Sequence, residues 1–430
     1  MDFKKAWSLV FMTFVLVLSS AGASKTDPYF YKNEVFKEGV KSVQLYRDGG
    51  VLSDPVYELG SDEQLILKFD DLADDVKDFS YTIIHCDANW NESYIRQNEY
   101  LSGFPDNPVS DYASSYNTTV KFVNYQLHIP NEDCTPKVSG NYALVVFEDG
   151  NRENRVLVQR FYVVEPKVRI DALVKKSTFD SYNGEDQELD CKVYLENLRV
   201  LSPAEDFKIV LMQNKRDDNA IRNLKPSFIR ENELDYDYSK ENVFSGGNEF
   251  RYFDIRTIRR NGENVVETKF IRPDYHITLA PEVMRAGQDY KNYKEMNGSY
   301  AIESQDRVTD NDTECDYVYV HFFLPLGTEL VGGSVHVFGA LTGWNADKTN
   351  AMTWNPDRGG YELCMHLKQG YYNYEYVYVP EKSQKIDAVN LEGSHFVTEN
   401  DYQIFTYYHD QSARYDRLVG FLTINSTLRK

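Results

Sequence analysis

Recognisable catalytic motifs are missing from this chain, and cysteine is scarce. The five cysteines stand far apart in 430 residues, without the close pairs of a zinc site or the density of a disulfide scaffold. There is no phosphate-binding glycine loop, dinucleotide-binding fingerprint, G-x-S-x-G elbow or H-E-x-x-H motif. The eight histidines are scattered singly. We therefore predict no catalytic residue, no cofactor and no metal site; a hydrolase with paired carboxylates leaves no such motif and stays a weaker hypothesis.

Positive charge is also in short supply. Lysine and arginine number 47 against 67 aspartates and glutamates, which gives a formal net charge of −20. Nucleic acids and anionic lipid surfaces are normally recognised by basic patches, because both are polyanions. We therefore expect neither a nucleic-acid partner nor attraction to an anionic membrane.

Long hydrophobic runs do not occur beyond the first 23 residues. Lys4 and Lys5 precede an apolar run over residues 6–18, and the small residues Ala21-Gly22-Ala23 follow it. The run is shorter than the roughly 20 apolar residues that span a bilayer. The pattern predicts a cleaved secretory signal peptide, and we expect the exported chain not to insert into a membrane.

Aromatic residues are abundant, with 33 tyrosines and 24 phenylalanines. In the clearest alternation Val123, Tyr125 and Leu127 share one face, while Asn124 and Gln126 share the other. Similar short segments recur between glycine and asparagine turns, and no stretch keeps a helical period. We predict an all-β chain of tandem antiparallel β-sandwich domains, immunoglobulin-like, with very little helix.

Two breaks suggest where domains meet. Glu165-Pro166 ends one predicted strand and allows another to begin, and the polar segment 286–314 precedes a new strand at Tyr317. The predicted division is a signal peptide at residues 1–23, an N-terminal domain at 24–165, a middle domain at 166–314 and a C-terminal domain at 315–430.

The run His85-Cys86-Asp87 has the composition of an activated thiol nucleophile. On a strand, however, His85 and Cys86 point to opposite faces, so we favour a structural strand end that organises the following turn. The acidic run over residues 70–78 lacks the spacing of a calcium loop, which favours a solvated loop. Cys86 and Cys134 fall in one predicted domain and are the candidate pair for a disulfide in an oxidising compartment.

The last part of the chain carries a pattern of aromatic residues. The runs Gly343-Trp344-Asn345 and Gly370-Tyr371-Tyr372-Asn373-Tyr374 resemble early-set immunoglobulin-like modules related to glycogen-binding domains. Such modules stack exposed rings on sugars, which implies Trp344, Trp354 and Tyr374 as candidate sugar contacts. Burial in the sandwich core is the other interpretation of these rings. A carbohydrate-binding protein is therefore the alternative function.

Several stretches together resemble the plug protein family of the type IX secretion system of Bacteroidetes. The residues that carry the resemblance are Phe69-Asp70-Asp71-Leu72, Tyr81-Thr82-Ile83-Ile84-His85-Cys86-Asp87-Ala88-Asn89-Trp90, Glu99-Tyr100-Leu101-Ser102-Gly103-Phe104, Tyr116-Asn117-Thr118-Thr119-Val120, Ser139-Gly140-Asn141-Tyr142, Leu211-Met212-Gln213-Asn214, Asp218-Asn219-Ala220-Ile221, Gly246-Gly247-Asn248-Glu249-Phe250-Arg251, Thr398-Glu399-Asn400-Asp401-Tyr402 and Arg414-Tyr415-Asp416-Arg417-Leu418. They are spread over nearly the whole exported chain.

The resemblance implies a periplasmic, multidomain protein without catalysis. Such a protein would associate with the giant outer-membrane β-barrel translocon and occlude its periplasmic opening while no substrate is engaged. Steric blocking needs no catalytic residue, cofactor or small-molecule substrate. The turn Asn89-Trp90-Asn91 is our candidate for an exposed contact with this partner.

Overall fold

The computed structural model describes residues 31–427, apart from 74, 180–184, 196–197, 199, 201, 238–239, 307 and 411. The predicted signal peptide, residues 1–23, lies outside the described residues. Within them, helix is limited to α1 (Gln97–Tyr100), α2 (Pro203–Asp206), α3 (Asn311–Glu314), α4 (Val389–Glu392) and one 3-10 turn (Ala340–Thr342). None of these helices is long and apolar enough to cross a membrane. The prediction of an all-β fold with very little helix is confirmed.

The strands of the N-terminal part form two packed sheets and a short ribbon. They are β1 (Glu34–Val35), β2 (Val40–Arg47), β3 (Val56–Glu58), β4 (Leu65–Asp71), β5 (Phe79–Cys86), β6 (Leu101–Gly103), β7 (Asn107–Pro108), β8 (Asp111–Ser114), β9 (Val123–Ile129), β10 (Cys134–Pro136), β11 (Gly140–Glu148) and β12 (Arg155–Val164). Sheet 1 has the order β2-β4-β9-β8, and sheet 2 has the order β1-β12-β11-β5-β7 with β3 parallel to β12. Strands β6 and β10 pair as the ribbon.

The next strands contribute to four further sheets. They are β13 (Arg169–Lys176), β14 (Asp186–Tyr194), β15 (Phe207–Gln213), β16 (Ile221–Arg222), β17 (Phe228–Arg230), β18 (Glu233–Asp235), β19 (Val243–Ser245), β20 (Arg251–Asp254), β21 (Val265–Ile271), β22 (Asp274–Leu279) and β23 (Tyr300–Ile302). Those of the C-terminal part are β24 (Tyr317–Pro325), β25 (Gly333–Phe338), β26 (Thr353–Asn355), β27 (Gly360–Lys368), β28 (Gly370–Pro380), β29 (Asp401–Asp410) and β30 (Tyr415–Asn425).

These strands pair across long sequence distances. Sheet 3 has the order β16-β15-β29-β30, and sheet 4 has the order β13-β14-β18-β17 with β19 beside β14. Sheet 5 has the order β20-β28-β23 with β25 beside β28, and sheet 6 has the order β21-β22-β24-β27-β26. The pairing of β22 with β24 is parallel.

Sheets 1 to 4 stack as consecutive layers with an apolar core at each contact. Phe69 and Tyr125 of sheet 1 share a core with residues of sheet 2. Tyr162 of sheet 2 packs in the next core with Phe405 of sheet 3, and the opposite face of sheet 3 packs on sheet 4. Because sheet 3 is covered on both faces, the middle of the molecule is held by burial and not by a linker.

Sheets 5 and 6 form a second stack, with a core that contains Phe253, Val320 and Tyr374. The strand pairing does not follow the predicted boundary at residue 315. Strands β20, β22 and β23 precede residue 315 and pair with later strands of this stack, whereas β29 and β30 leave it and complete sheet 3. Strand pairing is non-local, and no local pattern announces which distant edge a strand will join.

Candidate functional site

The run His85-Cys86-Asp87 is part of the packed interior. His85 Nδ1 lies 2.8 Å from Ser93 Oγ, and its Nε2 lies 3.1 Å from the Ser139 carbonyl oxygen. Burial lowers the pKa of His85 to about 4 and raises the pKa of the Cys86 thiol. A neutral imidazole beside a protonated, buried thiol is not an activated nucleophile, so the geometry supports the structural interpretation.

One carboxylate cluster stands out in the described part of the chain. Glu188, Asp190 and Asp237 place carboxylate oxygens within 4.8 Å of one another. The ammonium of Lys175 lies 3.4 Å from Glu188 and 3.1 Å from Asp237, and it also contacts Asp190. Burial, together with the neighbouring Asp237, raises the pKa of Asp190 to about 7. The lysine supplies the positive charge that these carboxylates need, so the cluster is a self-contained ion network.

The motifs that carry the family resemblance meet where the sheets join. The first such contact is a polar junction between sheets 1 and 6, formed by Asp70, Asn124, Tyr317 and Lys368. The fully buried Asp70 carboxylate accepts hydrogen bonds from Lys368 Nζ, Tyr317 OH and Asn124 Nδ2, each at 2.7 Å. Burial raises the pKa of Asp70, while the ammonium of Lys368 opposes that shift. The acidic run predicted as a solvated loop therefore begins with a buried, fully partnered carboxylate.

A loop of the N-terminal part extends the polar junction. Asp316 accepts hydrogen bonds from the backbone N–H of Thr119 at 2.8 Å and of Val120 at 3.1 Å, and from the Thr119 hydroxyl at 2.7 Å. The Tyr116 N–H donates to the Thr313 carbonyl at 3.0 Å. The motif at residues 116–120 thus fixes how the two stacks meet.

The second contact is an aromatic junction between sheets 2 and 3, formed by Trp90, Arg160, Tyr162 and Phe405. Tyr162 and Phe405 are stacked with ring centroids 4.3 Å apart, and Trp90 meets Tyr162 edge-on at 5.2 Å. The Arg160 guanidinium lies 4.3 Å from the Trp90 ring centroid and pairs with Asp217 at 3.0 Å. Large rings buried together contribute apolar area and a further pairwise stabilisation.

Asp416 lies at the edge of the aromatic junction. Its carboxylate accepts from the Ala88 N–H at 3.0 Å and from Lys208 Nζ at 2.8 Å, and it contacts His409 Nδ1 at 2.7 Å. Burial alone would raise the pKa of Asp416, but Lys208 and these hydrogen bonds hold it below its ordinary value. The neighbouring Arg417 makes a two-pronged ion pair with Glu165 at 2.7 and 2.9 Å.

A third contact, the amide junction, joins sheets 3 and 4 through Asn214, Asn400, Gln187 and Tyr402. Asn214 donates to Asn400 at 2.7 Å, and Asn400 donates to Gln187 at 3.0 Å and to the Gly246 carbonyl at 2.9 Å. Tyr402 donates to Gln187 at 2.5 Å. All four amide and phenol side chains are buried, so each needs these partners.

The candidate contact turn at residues 89–91 differs from the prediction. Asp87 accepts from the N–H groups of Asn89 at 2.8 Å and Asn91 at 2.9 Å, and it folds the turn over Trp90. Trp90 is 1% exposed, so its prediction as an exposed contact is wrong. Asn89 and Asn91 are half-buried. The turn directs the indole inward because that position completes the core between sheets 2 and 3.

The three candidate sugar contacts do not form an exposed platform. Tyr374 lies in the core between sheets 5 and 6 and is 1% exposed. Trp344 is half-buried and packs edge-on against Phe250 and Phe338, and Trp354 packs against Tyr361. Packing inside the stack is therefore the better interpretation of these rings.

The candidate disulfide is also absent from the structure. Cys86 and Cys134 are both buried free thiols. Cys86 belongs to the core between sheets 2 and 3, whereas Cys134 belongs to the core between sheets 1 and 2. Location in one predicted domain was too weak a criterion for a disulfide. The two cores lie on opposite sides of sheet 2, and each core contains one of the two thiols.

Sequence reasoning missed the three most exposed aromatic side chains among the described residues of the N-terminal part. Tyr94, Phe104 and Tyr116 are 92%, 64% and 72% exposed. Exposed aromatics are enriched at protein interfaces, where a rigid ring buries a large area at low entropy cost. A sequence signal existed only for Tyr116, which lies between Ser115 and Asn117. We call this set the aromatic rim.

Comparison with known proteins gives one family model and a similar solved structure. The model of the type 9 secretion system plug protein first domain matches residues 40–165. No curated protein matches the chain. A crystal structure described as a hypothetical protein from Parabacteroides merdae ATCC 43184 is similar, with a TM-score of 0.89 and 34% sequence identity. The match covers 92% of this chain and 99% of the other.

The similarity to that solved structure extends over 92% of the chain, whereas the family model covers residues 40–165, which form most of sheets 1 and 2. The immunoglobulin-like assignment of the C-terminal part therefore stays a prediction. Plug proteins are structural components of a secretion system and not an enzyme family. The match of residues 40–165 supports the predicted membership of the type 9 secretion system plug protein family.

Proposed function

We propose that this protein is a non-enzymatic periplasmic plug. It docks on the outer-membrane β-barrel translocon of the type IX secretion system and occludes the periplasmic opening while no substrate is engaged. Membership of the family supports a role in type IX secretion. The observation that carries the finer proposal is the set of three buried junctions, because together with the apolar cores they join the six sheets into one body that resists deformation.

A protein that occludes a large opening has to keep its shape. Modules on flexible linkers move relative to one another, since interfaces between domains are often small and polar. Here Asp70, Trp90 and Asn400 are all buried at sheet contacts, each with partners from distant parts of the chain. Mechanical stiffness is what this arrangement supplies, and steric occlusion requires it.

The three side chains of the aromatic rim are our candidate contacts for docking on the barrel. Tyr94, Phe104 and Tyr116 belong to the part of the chain that the family model matches. They are far more exposed than Trp90, which the sequence favoured. Asn89 and Asn91 also stay predicted contacts. An acidic body with exposed rings suits docking onto a protein surface better than adsorption to anionic lipid.

The proposal is tested by affinity capture from detergent-solubilised outer membranes with a tagged exported chain. We expect a very large outer-membrane barrel to be captured. Replacement of Tyr94, Phe104 and Tyr116 together by serine should reduce that capture at least several-fold. The matched control replaces Phe228 and Val331, which are 56% and 86% exposed in other parts of the fold, and should leave capture unchanged.

Deletion of the gene provides an independent readout. If the protein seals the translocon, the outer membrane of the deletion strain should become more permeable to a large hydrophilic probe or export should be disturbed. Complementation with the aromatic-rim variant should fail, whereas the control variant should restore the barrier. Capture of no barrel together with an intact barrier in the deletion strain would refute the proposal.

A further inference from the structure

Strand β21 lies at one end of sheet 6, and no strand of the described residues pairs with its outer edge. Three of its apolar side chains, Val266, Phe270 and Ile271, are 52%, 47% and 50% exposed. An edge strand presents unpaired backbone N–H and C=O groups with which another strand can pair. Exposed apolar side chains on such an edge favour that pairing, because it removes them from water.

The backbone of β21 directs some of its polar groups away from β22. Val266 has no register partner on β22, and its carbonyl accepts a hydrogen bond from Asn261 Nδ2 at 2.7 Å. Alternate residues of an antiparallel strand turn their N–H and C=O groups toward the same edge. Thr268 and Phe270 therefore present theirs at the outer edge as well. A second strand would pair with these groups and would replace the Asn261 amide with a backbone N–H.

The sequence of β21 is complementary to itself when two copies run antiparallel about Thr268. In that register Glu267 of each copy lies opposite Lys269 of the other, and Val266 lies opposite Phe270. Residues directly opposite one another share a face of the sheet, so the members of each pair are in contact. Glu267 and Lys269 are both exposed, and neither has an ion-pair partner among the described residues. Self-pairing would supply each charge with its opposite.

Thr268, at the centre of this register, has an unsatisfied polar atom. Its hydroxyl oxygen is buried and has no hydrogen-bond partner among the described residues. Buried polar atoms nearly always have such a partner, so this one calls for an explanation. In the paired strands the same hydroxyl of the second copy would lie directly opposite on the same face, and threonines placed in this way hydrogen-bond to each other.

We propose that two copies of this chain associate through the outer edges of β21, with a two-fold axis at Thr268. The association joins the five-stranded sheet 6 of one copy to that of the other as one continuous sheet. Both copies use the same edge, so the assembly is a closed dimer. The paired segment is short and the contact is smaller than a standard interface, so we expect a dimer that forms at micromolar concentrations and dissociates on dilution. The dimer is independent of the proposed plugging function.

Sedimentation velocity of the exported chain, at increasing micromolar concentrations and low ionic strength, tests this dimer. We expect the wild type to shift from monomer to dimer as the concentration rises. Glu267→Lys places lysine opposite lysine on both sides of the axis and should weaken the dimer by about tenfold. Lys269→Glu should weaken it similarly, because glutamate then lies opposite glutamate. The double variant Glu267→Lys with Lys269→Glu restores opposite charges and should return the dissociation constant to within about twofold of the wild type.

The matched control is Glu132→Lys, which makes the same charge reversal in an exposed turn of the N-terminal part and should leave the dimer unchanged. Circular dichroism of each variant establishes that it is folded; all three side chains are exposed, so we expect no loss of structure. A wild type that stays monomeric at every concentration would overturn the proposal. So would a dimer that Glu267→Lys does not weaken, or one that the double variant does not restore, because either result would exclude this register.

Discussion

The polar and aromatic junctions both tie the N-terminal sheets to the rest of the molecule, but they do so by different physics. At the polar junction a buried carboxylate has three donors in fixed positions. At the aromatic junction Trp90, Tyr162 and Phe405 bury apolar area with looser geometric demands. Apolar burial supplies net stability, whereas a buried ion pair roughly offsets its own desolvation. We infer that the aromatic junction mainly stabilises the contact between its sheets. The polar junction mainly selects the relative position of the sheets that it joins.

Removal of the Trp90 indole should have the largest effect on the stability of these junctions. Trp90→Ala should lower the free energy of unfolding by about 4 kcal/mol, because it opens a cavity and leaves Arg160 without the ring. Urea unfolding monitored by circular dichroism measures the change. Tyr94→Ala is the control; that ring is 92% exposed, so its loss should change stability by less than about 0.5 kcal/mol. Equal losses of stability in the two variants would contradict the claim that the aromatic junction stabilises the fold.

Loss of one charge should break the polar junction. Lys368→Met should lower the free energy of unfolding by about 3 kcal/mol, because it leaves the Asp70 carboxylate buried without its cation. Adding Asp70→Asn should recover most of that loss, since no unpaired charge then remains. Lys348→Met, at an exposed lysine, should be close to neutral. If the double variant is no more stable than Lys368→Met alone, the ion pair does not govern this junction.

Asp416, at the edge of the aromatic junction, should make the stability of the protein depend on pH. Asp416→Asn should cost about 2 kcal/mol at pH 7, the usual range for hydrogen bonds to a charged group. The pKa of Asp416 is depressed in the folded state. Its stabilisation is therefore fully present above the unfolded pKa of about 4 and is lost as the pH falls through the lower folded value. Thermal unfolding from pH 7 to pH 3 should show the difference between the two proteins shrinking only below about pH 4.

The smallest expected effect concerns Cys86 and Cys134, whose thiols lie in the two cores on opposite sides of sheet 2. Because Cys86 and Cys134 lie in different cores, addition of a reducing agent should leave the Tm unchanged. A drop of several degrees would indicate a bridge between them. Cys134→Ser gives a second measure. It should destabilise the protein only by placing a hydroxyl group in the core between sheets 1 and 2, and the loss should be the same with and without reductant.

Sequence reasoning was most reliable where the signal is local. The alternation at Val123–Ile129 predicted a strand, and β9 has those bounds. The same pattern misplaced Asn124, which is buried at the polar junction and not solvated. Alternation tells which residues share a face of a strand, but it does not tell what covers that face.

The candidate site was harder to predict for the same reason. Trp90 was selected because it lies in a turn, and turns are usually exposed. Its turn folds inward because Asp87 caps it and sheet 3 supplies a surface for the ring. The histidines were judged scattered, yet the parallel pairing of β22 with β24 joins His276 to His321 across 45 residues.

The all-β class, the short turns, the shortage of helix and the resemblance to the plug family follow from the chain alone, because period, turn chemistry and motifs are properties of neighbouring residues. The return of β29 and β30 to sheet 3, the burial of Trp90 and the contact of His276 with His321 became visible only in the folded molecule. Each of these depends on hydrogen bonds and packing between distant segments, and such pairings are chosen by the free energy of the whole fold.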